Sequence, residues 1–78
     1  MNTKNNFMLR AIELSINSAK KDGGPFGCVI TKNNTIIAEG SNKVTLSNDP
    51  TAHAEVVAIR EACKKLNTFI LTGCDLYT

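Results

Sequence analysis

Two adjacent apolar pairs, Val29-Ile30 and Ile36-Ile37, flank the dipeptide Asn33-Asn34. Asn tolerates positive φ, so two consecutive Asn residues suit a two-residue hairpin turn. The reading is a strand over residues 26–32, a second over 35–40, and antiparallel pairing between them. Consecutive side chains on a strand point to opposite faces. Both faces of this hairpin are therefore expected to be buried, which requires a helix on each side.

The flanking segments supply the helices. Phe7, Met8, Ala11, Ile12, Ser15 and Ala19 recur at spacings of three and four, which predicts one buried helical face. Asn2 or Thr3 is the expected cap, Lys20 and Lys21 suit the negative pole at its end, and Gly23-Gly24-Pro25 stops it. Residues 41–51 read as a polar loop. A second helix is expected over 50–66, with Asp49 as N-cap, Pro50 in the first turn, and Val56, Ile59, Cys63 and Leu66 as its apolar stripe. Arg60, Glu61, Lys64 and Lys65 then fall on its wet side. A third strand closes the sequence within 68–78, with Cys74, Leu76 and Tyr77 as packing residues. The order is helix, strand, strand, helix, strand. A strand–helix–strand unit is expected to be right-handed and parallel, giving an α/β layer with a mixed sheet and uneven helix cover.

At 78 residues the sequence has room for one small domain. A net charge of +2 is too small to point to nucleic acid or an acidic membrane. No apolar run approaches the roughly 18 residues of a membrane span, and the polar start lacks a secretory signal. Three scattered cysteines, Cys28, Cys63 and Cys74, form no CxxC pair and no disulfide framework. They read as small buried hydrophobes in a reducing, cytoplasmic compartment. Lys20-Lys21 and Lys64-Lys65 read as solvated helix ends, and Gly23-Gly24 lacks the Gly-Lys-Ser/Thr of a phosphate loop.

The chemistry gathers in Asn48-Asp49-Pro50-Thr51-Ala52-His53-Ala54-Glu55. His53 and Glu55 have the spacing H-x-E. Residues two apart do not share a face in mid-helix, but in the first turn both lean toward the N-terminal end. A group held there also meets free N–H donors and the positive pole of the helix.

H-x-E followed later by P-C-x-x-C is the signature of zinc-dependent nucleobase deaminases. The sequence resembles the cytidine/deoxycytidylate-type deaminase superfamily from about Phe7 to Thr78. Gly23-Gly24-Pro25-Phe26-Gly27, Ile37-Ala38-Glu39-Gly40 leading to Asn42, and Asn48 through Glu55 carry the likeness. It looks most like the bacterial guanine deaminases and related nucleoside deaminases. The resemblance implies a cytidine-deaminase-like three-layer α/β/α fold, zinc as cofactor and a nucleobase substrate, guanine first. It also implies a homodimer and, in the tRNA adenosine deaminase alternative, a nucleic-acid partner. By the same resemblance His53 is a zinc ligand, Glu55 shuttles protons, Asn42 and the Ala54 backbone hold the base, and Phe26 lines the pocket.

The sequence stops at Asp75-Leu76-Tyr77-Thr78, where the family's P-C-x-x-C would follow. Residues 1–78 are thus expected to be the N-terminal part of such a domain, inactive alone, since a catalytic zinc site takes three protein ligands. None of the cysteines is expected to substitute: Cys63, ten positions along the helix from His53, lies roughly 15 Å away, and Cys28 and Cys74 fall at packing positions in strands. The third strand is expected to present an exposed edge, and one sheet face to be bare. Two other readings remain open: a non-catalytic deaminase-like interaction module, and an ordinary α/β binding domain in which H-x-E is coincidental.

Overall fold

The computed structural model describes residues 3–21 and 23–78. Helix α1 spans Thr3–Lys20, strand β1 Gly27–Lys32 and strand β2 Thr35–Ser41. A one-turn helix α2, Val44–Ser47, precedes helix α3, Ala54–Leu66, and strand β3, Cys74–Tyr77. No helix among the described residues is long and apolar enough to cross a membrane.

The hairpin forms as expected. Lys32 pairs with Thr35, and Asn33 and Asn34 have φ of 51° and 60°. Positive φ at both central residues is the type I′ turn, whose twist matches that of the flanking strands. The register shifts between Ile30 and Thr31, so that Ile37 is the extra residue of β2. This bulge explains one of the apolar pairs. Ile37 joins Ala38 against the core on the α3 side instead of facing the opposite layer.

The sheet order is β2-β1-β3, and both pairings are antiparallel. The expected mixed sheet is corrected here. β2 and β3 do run in the same direction across α3, but β1 lies between them and takes up the ladder bonds of both. β3 is an edge, as expected. α3 packs over β2 and β1 and stops short of β3, which leaves Leu76 44% exposed.

The two long helices cover opposite faces. On one side Cys28, Ile30, Ala38, Ala54, Ala58 and Ala62 form a buried cluster. On the other, a Cβ on Gly27 would stand 2.5 Å from the Ala11 carbonyl oxygen, so α1 lies nearly in contact with β1. Arg10 of α1 fixes this layer through hydrogen bonds to Glu39 of 2.6 and 2.9 Å. Phe7 packs on Tyr77 with ring centroids 5.5 Å apart, which confirms the packing role expected for that tyrosine.

The helix faces differ from the expected ones. In α1 the buried line is Phe7, Ala11 and Ser18, whereas Met8, Ile12 and Ala19 face outward. In α3 the buried line is Ala54, Ala58 and Ala62. Val56, Cys63 and Leu66 are half-buried and Ile59 is exposed. Small residues win because the helix approaches β2 very closely. A Cβ on Gly40 would sit 2.5 Å from the Ala54 carbonyl oxygen and 2.6 Å from the Ala58 nitrogen. Lys20 closes α1, and Lys21 and Gly23 both donate to the Ser18 carbonyl at its end. Of the two expected caps, Thr3 is the first residue of α1, and Asn2 lies outside the described residues.

Candidate active site

α3 begins four residues later than expected. Its N-cap is His53, extended at φ −69° and ψ 159°, and not Asp49. The His53 carbonyl accepts the Val57 N–H at 2.9 Å, the first bond of the helix. Asp49 fails as a cap because its carboxylate is engaged one turn earlier. Oδ1 accepts the Thr51 N–H at 2.9 Å and the Thr51 hydroxyl at 2.7 Å. The Ala52 N–H returns to the Asp49 carbonyl at 3.1 Å, closing a turn with Pro50 at its second position.

The loop expected over residues 41–51 contains α2. Asn42 Oδ1 accepts the Val44 N–H at 2.9 Å in an Asx turn one residue ahead of the N-cap Lys43, which has no side-chain cap of its own, while Asn48 ends the helix at φ 51°. With its carbonyl oxygen engaged, the Asn42 carboxamide keeps its NH₂ group as a donor. The neighbouring Lys43 N–H donates to the Ala52 carbonyl at 2.8 Å. This bond stitches the Asn42 segment to the turn that leads into His53. Asn42 also lines a cavity of about 200 Å³ with Leu14, Ser18, Lys43 and Leu46.

Glu55 occupies the first turn of α3, and Lys64 and Lys65 the last, so both ends complement the helix dipole. The side chains of His53 and Glu55 are exposed, whereas Ala54 between them is 1% exposed. The Ala54 methyl group thus turns into the core between two exposed neighbours. The Glu55 carboxylate acts on Cys28 below it. Burial, and then that negative charge, push the Cys28 thiol up to about 11.

The structure brings His53, Ala54, Glu55 and the Asn42 segment to one end of the sheet. Phe26 stands apart, lining a groove on the α1 side with Ala11, Ile12 and Ser15. Among the described residues no three His, Cys, Asp or Glu side chains come close enough to hold a metal ion. Cys28 is buried as a neutral thiol, and Cys63 and Cys74 are half-buried free thiols. His53 offers one nitrogen where a catalytic zinc needs three protein ligands, so these residues alone do not fit the metal.

Arg60 lies on the wet side of α3 as expected, but its hydrogen bonds are not visible in the helical pattern: it reaches back to donate to Asp49 Oδ2 at 3.2 Å and Thr51 Oγ1 at 3.0 Å. Hydrogen bonds from Thr51, then Arg60, hold the Asp49 carboxyl below its ordinary range. The signal available was Asp-x-Thr, which forms side-chain turns as readily as it caps a helix.

The sequence matches the family described as the cytidine and deoxycytidylate deaminase zinc-binding region over residues 1–78. Guanine deaminase of Bacillus subtilis (strain 168) is 58% identical over 73 residues, 92% of this chain and 47% of that protein. A tRNA-specific adenosine deaminase of Aquifex aeolicus (strain VF5) is 43% identical over 74 residues, 95% of this chain and 49% of that protein. An X-ray structure of guanine deaminase from Bacillus subtilis superimposes with a TM-score of 0.93 at 55% identity, covering 99% of this chain and 49% of that one. The chain spans about half the length of the curated relatives it matches. It belongs to the cytidine and deoxycytidylate deaminase family, and its fold is the family's.

Proposed function

We propose that this chain supplies the His53–Glu55 part of a purine-base deaminase site, with guanine as the preferred substrate. The observation that carries the reading is local. H-x-E sits at the start of a helix whose preceding turn is hydrogen-bonded to the Asn42 segment, in a chain 58% identical to a guanine deaminase. The reaction would replace an exocyclic amino group by a carbonyl, consuming water and releasing ammonia. Glu55 would take a proton from the attacking water, deliver it to the ring nitrogen, and pass a second to the departing amine. A carboxylate placed for such transfers contributes roughly 10²–10⁴ in rate. The Asn42 NH₂ group would donate to an acceptor on the base, and the α3 N-terminus would favour developing negative charge.

Zinc, when bound, lowers the pKa of its water toward about 7. His53 would be one of its ligands, and the other two protein ligands would come from residues outside this sequence. The 78-residue chain by itself would then be inactive. A homodimer in the cytoplasm, with its cysteines reduced, belongs to the same reading.

A chimera tests it. Residues 1–78 would be joined to the part of Bacillus subtilis guanine deaminase beyond its matched region, and ammonia release would be followed from guanine, adenosine and cytidine. The reading expects turnover of guanine ahead of the other two, its loss in Glu55→Ala, and none from the unextended chain. A folded, zinc-loaded chimera that ignores guanine, or works equally well without Glu55, would overturn it.

A further inference from the structure

We propose that Arg60 is a positioning residue that holds the Asn42 and His53 segments in register without touching either side chain. The inference rests on the site assignment proposed above. Arg60 lies seven residues beyond His53, two turns down α3. Its guanidinium spans two groups of the preceding turn, with Nη1 donating to Asp49 Oδ2 and Nη2 to Thr51 Oγ1. The Thr51 hydroxyl in turn donates to Asp49 Oδ1, so the three side chains close a ring of hydrogen bonds.

The ring matters because of what the turn carries. The Thr51 carbonyl accepts the His53 N–H at 2.8 Å, and the Ala52 carbonyl accepts the Lys43 N–H at 2.8 Å. One bond sets the extended backbone of His53, and the other fixes the residue next to Asn42. Ala52 itself is 3% exposed and packs the turn down. α3, pinned against β2 by Ala54 and Ala58, is the rigid body to which Arg60 ties this turn. A planar, two-pronged donor suits the job, because a lysine ammonium cannot meet both acceptors with fixed geometry.

The Arg60 side chain is 56% exposed and that of Asp49 35%, so the ring is expected to add little to global stability. Its effect should be local. The test is amide hydrogen exchange and side-chain NMR on the 78-residue chain, comparing wild type with Arg60→Ala, Arg60→Lys and Thr51→Val. In Arg60→Ala the amides of Lys43, Thr51, Ala52 and His53 should exchange roughly tenfold faster. Those of Val29, Ile30, Ala58 and Ala62 should keep their rates. The Asn42 carboxamide and His53 imidazole signals should move, although neither group touches Arg60. Arg60→Lys should recover part of the protection, and Thr51→Val should fall between wild type and Arg60→Ala.

Unchanged loop amides would overturn the proposal. So would a uniform rise across sheet and helices, which marks a merely stabilising residue. In the guanine deaminase chimera the same variant should lose kcat and raise KM together, and an unchanged KM would count against coupling to Asn42. The exchange result does not depend on turnover, so failure of the positioning role and failure of the deaminase reading are distinguishable.

Discussion

Replacing Gly40 by Ala probes the contact that sets α3, and with it the candidate site. The new methyl carbon would stand 2.5 Å from the Ala54 carbonyl oxygen, 2.6 Å from the Ala58 nitrogen and 3.0 Å from the Ala58 Cβ. Two of these are helix backbone, and Ala54 and Ala58 are 1% and 0% exposed, so no flexible side chain can swing away. The helix must move by several tenths of an ångström and lose contact with Cys28, Ile30 and Ala38 as it does. Overpacking of this kind costs about 1–3 kcal/mol. Removing glycine's freedom from the unfolded chain returns about 0.4–1 kcal/mol. The expected net loss is about 1–2 kcal/mol, against a total of roughly 4–12 kcal/mol for a domain of this size. With a urea m-value near 1 kcal/mol/M, the unfolding midpoint should fall by about 1–2 M. Urea titration followed by far-UV circular dichroism reads this directly. Adding Ala58→Gly relieves only the 3.0 Å contact and should not restore the midpoint. An unchanged midpoint in Gly40→Ala would refute the close approach and the alanine face built on it.

Three further outcomes follow from the same geometry. The Cys28 thiol is pushed up to about 11 by burial and by Glu55, so the folded state holds its proton more tightly than the unfolded chain. Its contribution is complete below the ordinary thiol pKa and is lost as pH rises toward 11, and Cys28→Ala should flatten that alkaline decline in thermal unfolding. Glu39 is held below the ordinary carboxylate range chiefly by its hydrogen bonds from Arg10. Its stabilisation is present above the ordinary glutamate pKa and is lost as pH falls through the depressed one, so Glu39→Gln should lower the neutral-pH midpoint, by no more than about 1 kcal/mol for so partly exposed a pair, and leave a shallower decline toward acid pH. Asn34→Gly, at φ 60° in the hairpin, should raise stability by roughly 0.5 kcal/mol in the same urea assay, and a drop would contradict the type I′ assignment.

What could be read from the sequence divides along physical lines. Asn33-Asn34 was decisive because the two-residue turn makes a local demand on φ that few residues meet. The place of H-x-E at the start of α3 is legible for a similar reason, since it depends on neighbouring positions. The alanine face of α3 was not legible. Val56, Ile59 and Leu66 outweigh alanine in hydrophobicity, yet burial went to the residues that let the helix touch Gly40. Asp49-Pro50 carries a sound N-cap signal, but Thr51 competes for the same carboxylate and wins. The antiparallel neighbour of β3 was hidden because sequence order cannot say that β1 sits between β2 and β3. Arg60 looked like surface charge because its partners lie 9 and 11 residues away, outside any local pattern.

The most direct measurement is a native mass spectrum of the 78-residue chain and of the guanine deaminase chimera after exposure to zinc. The account predicts a metal-free chain, one zinc per protomer in the chimera, and none when His53→Ala is introduced there. One zinc bound to the chain alone, or retained by the His53→Ala chimera, would contradict the central claim that His53 is the single zinc ligand this sequence contributes.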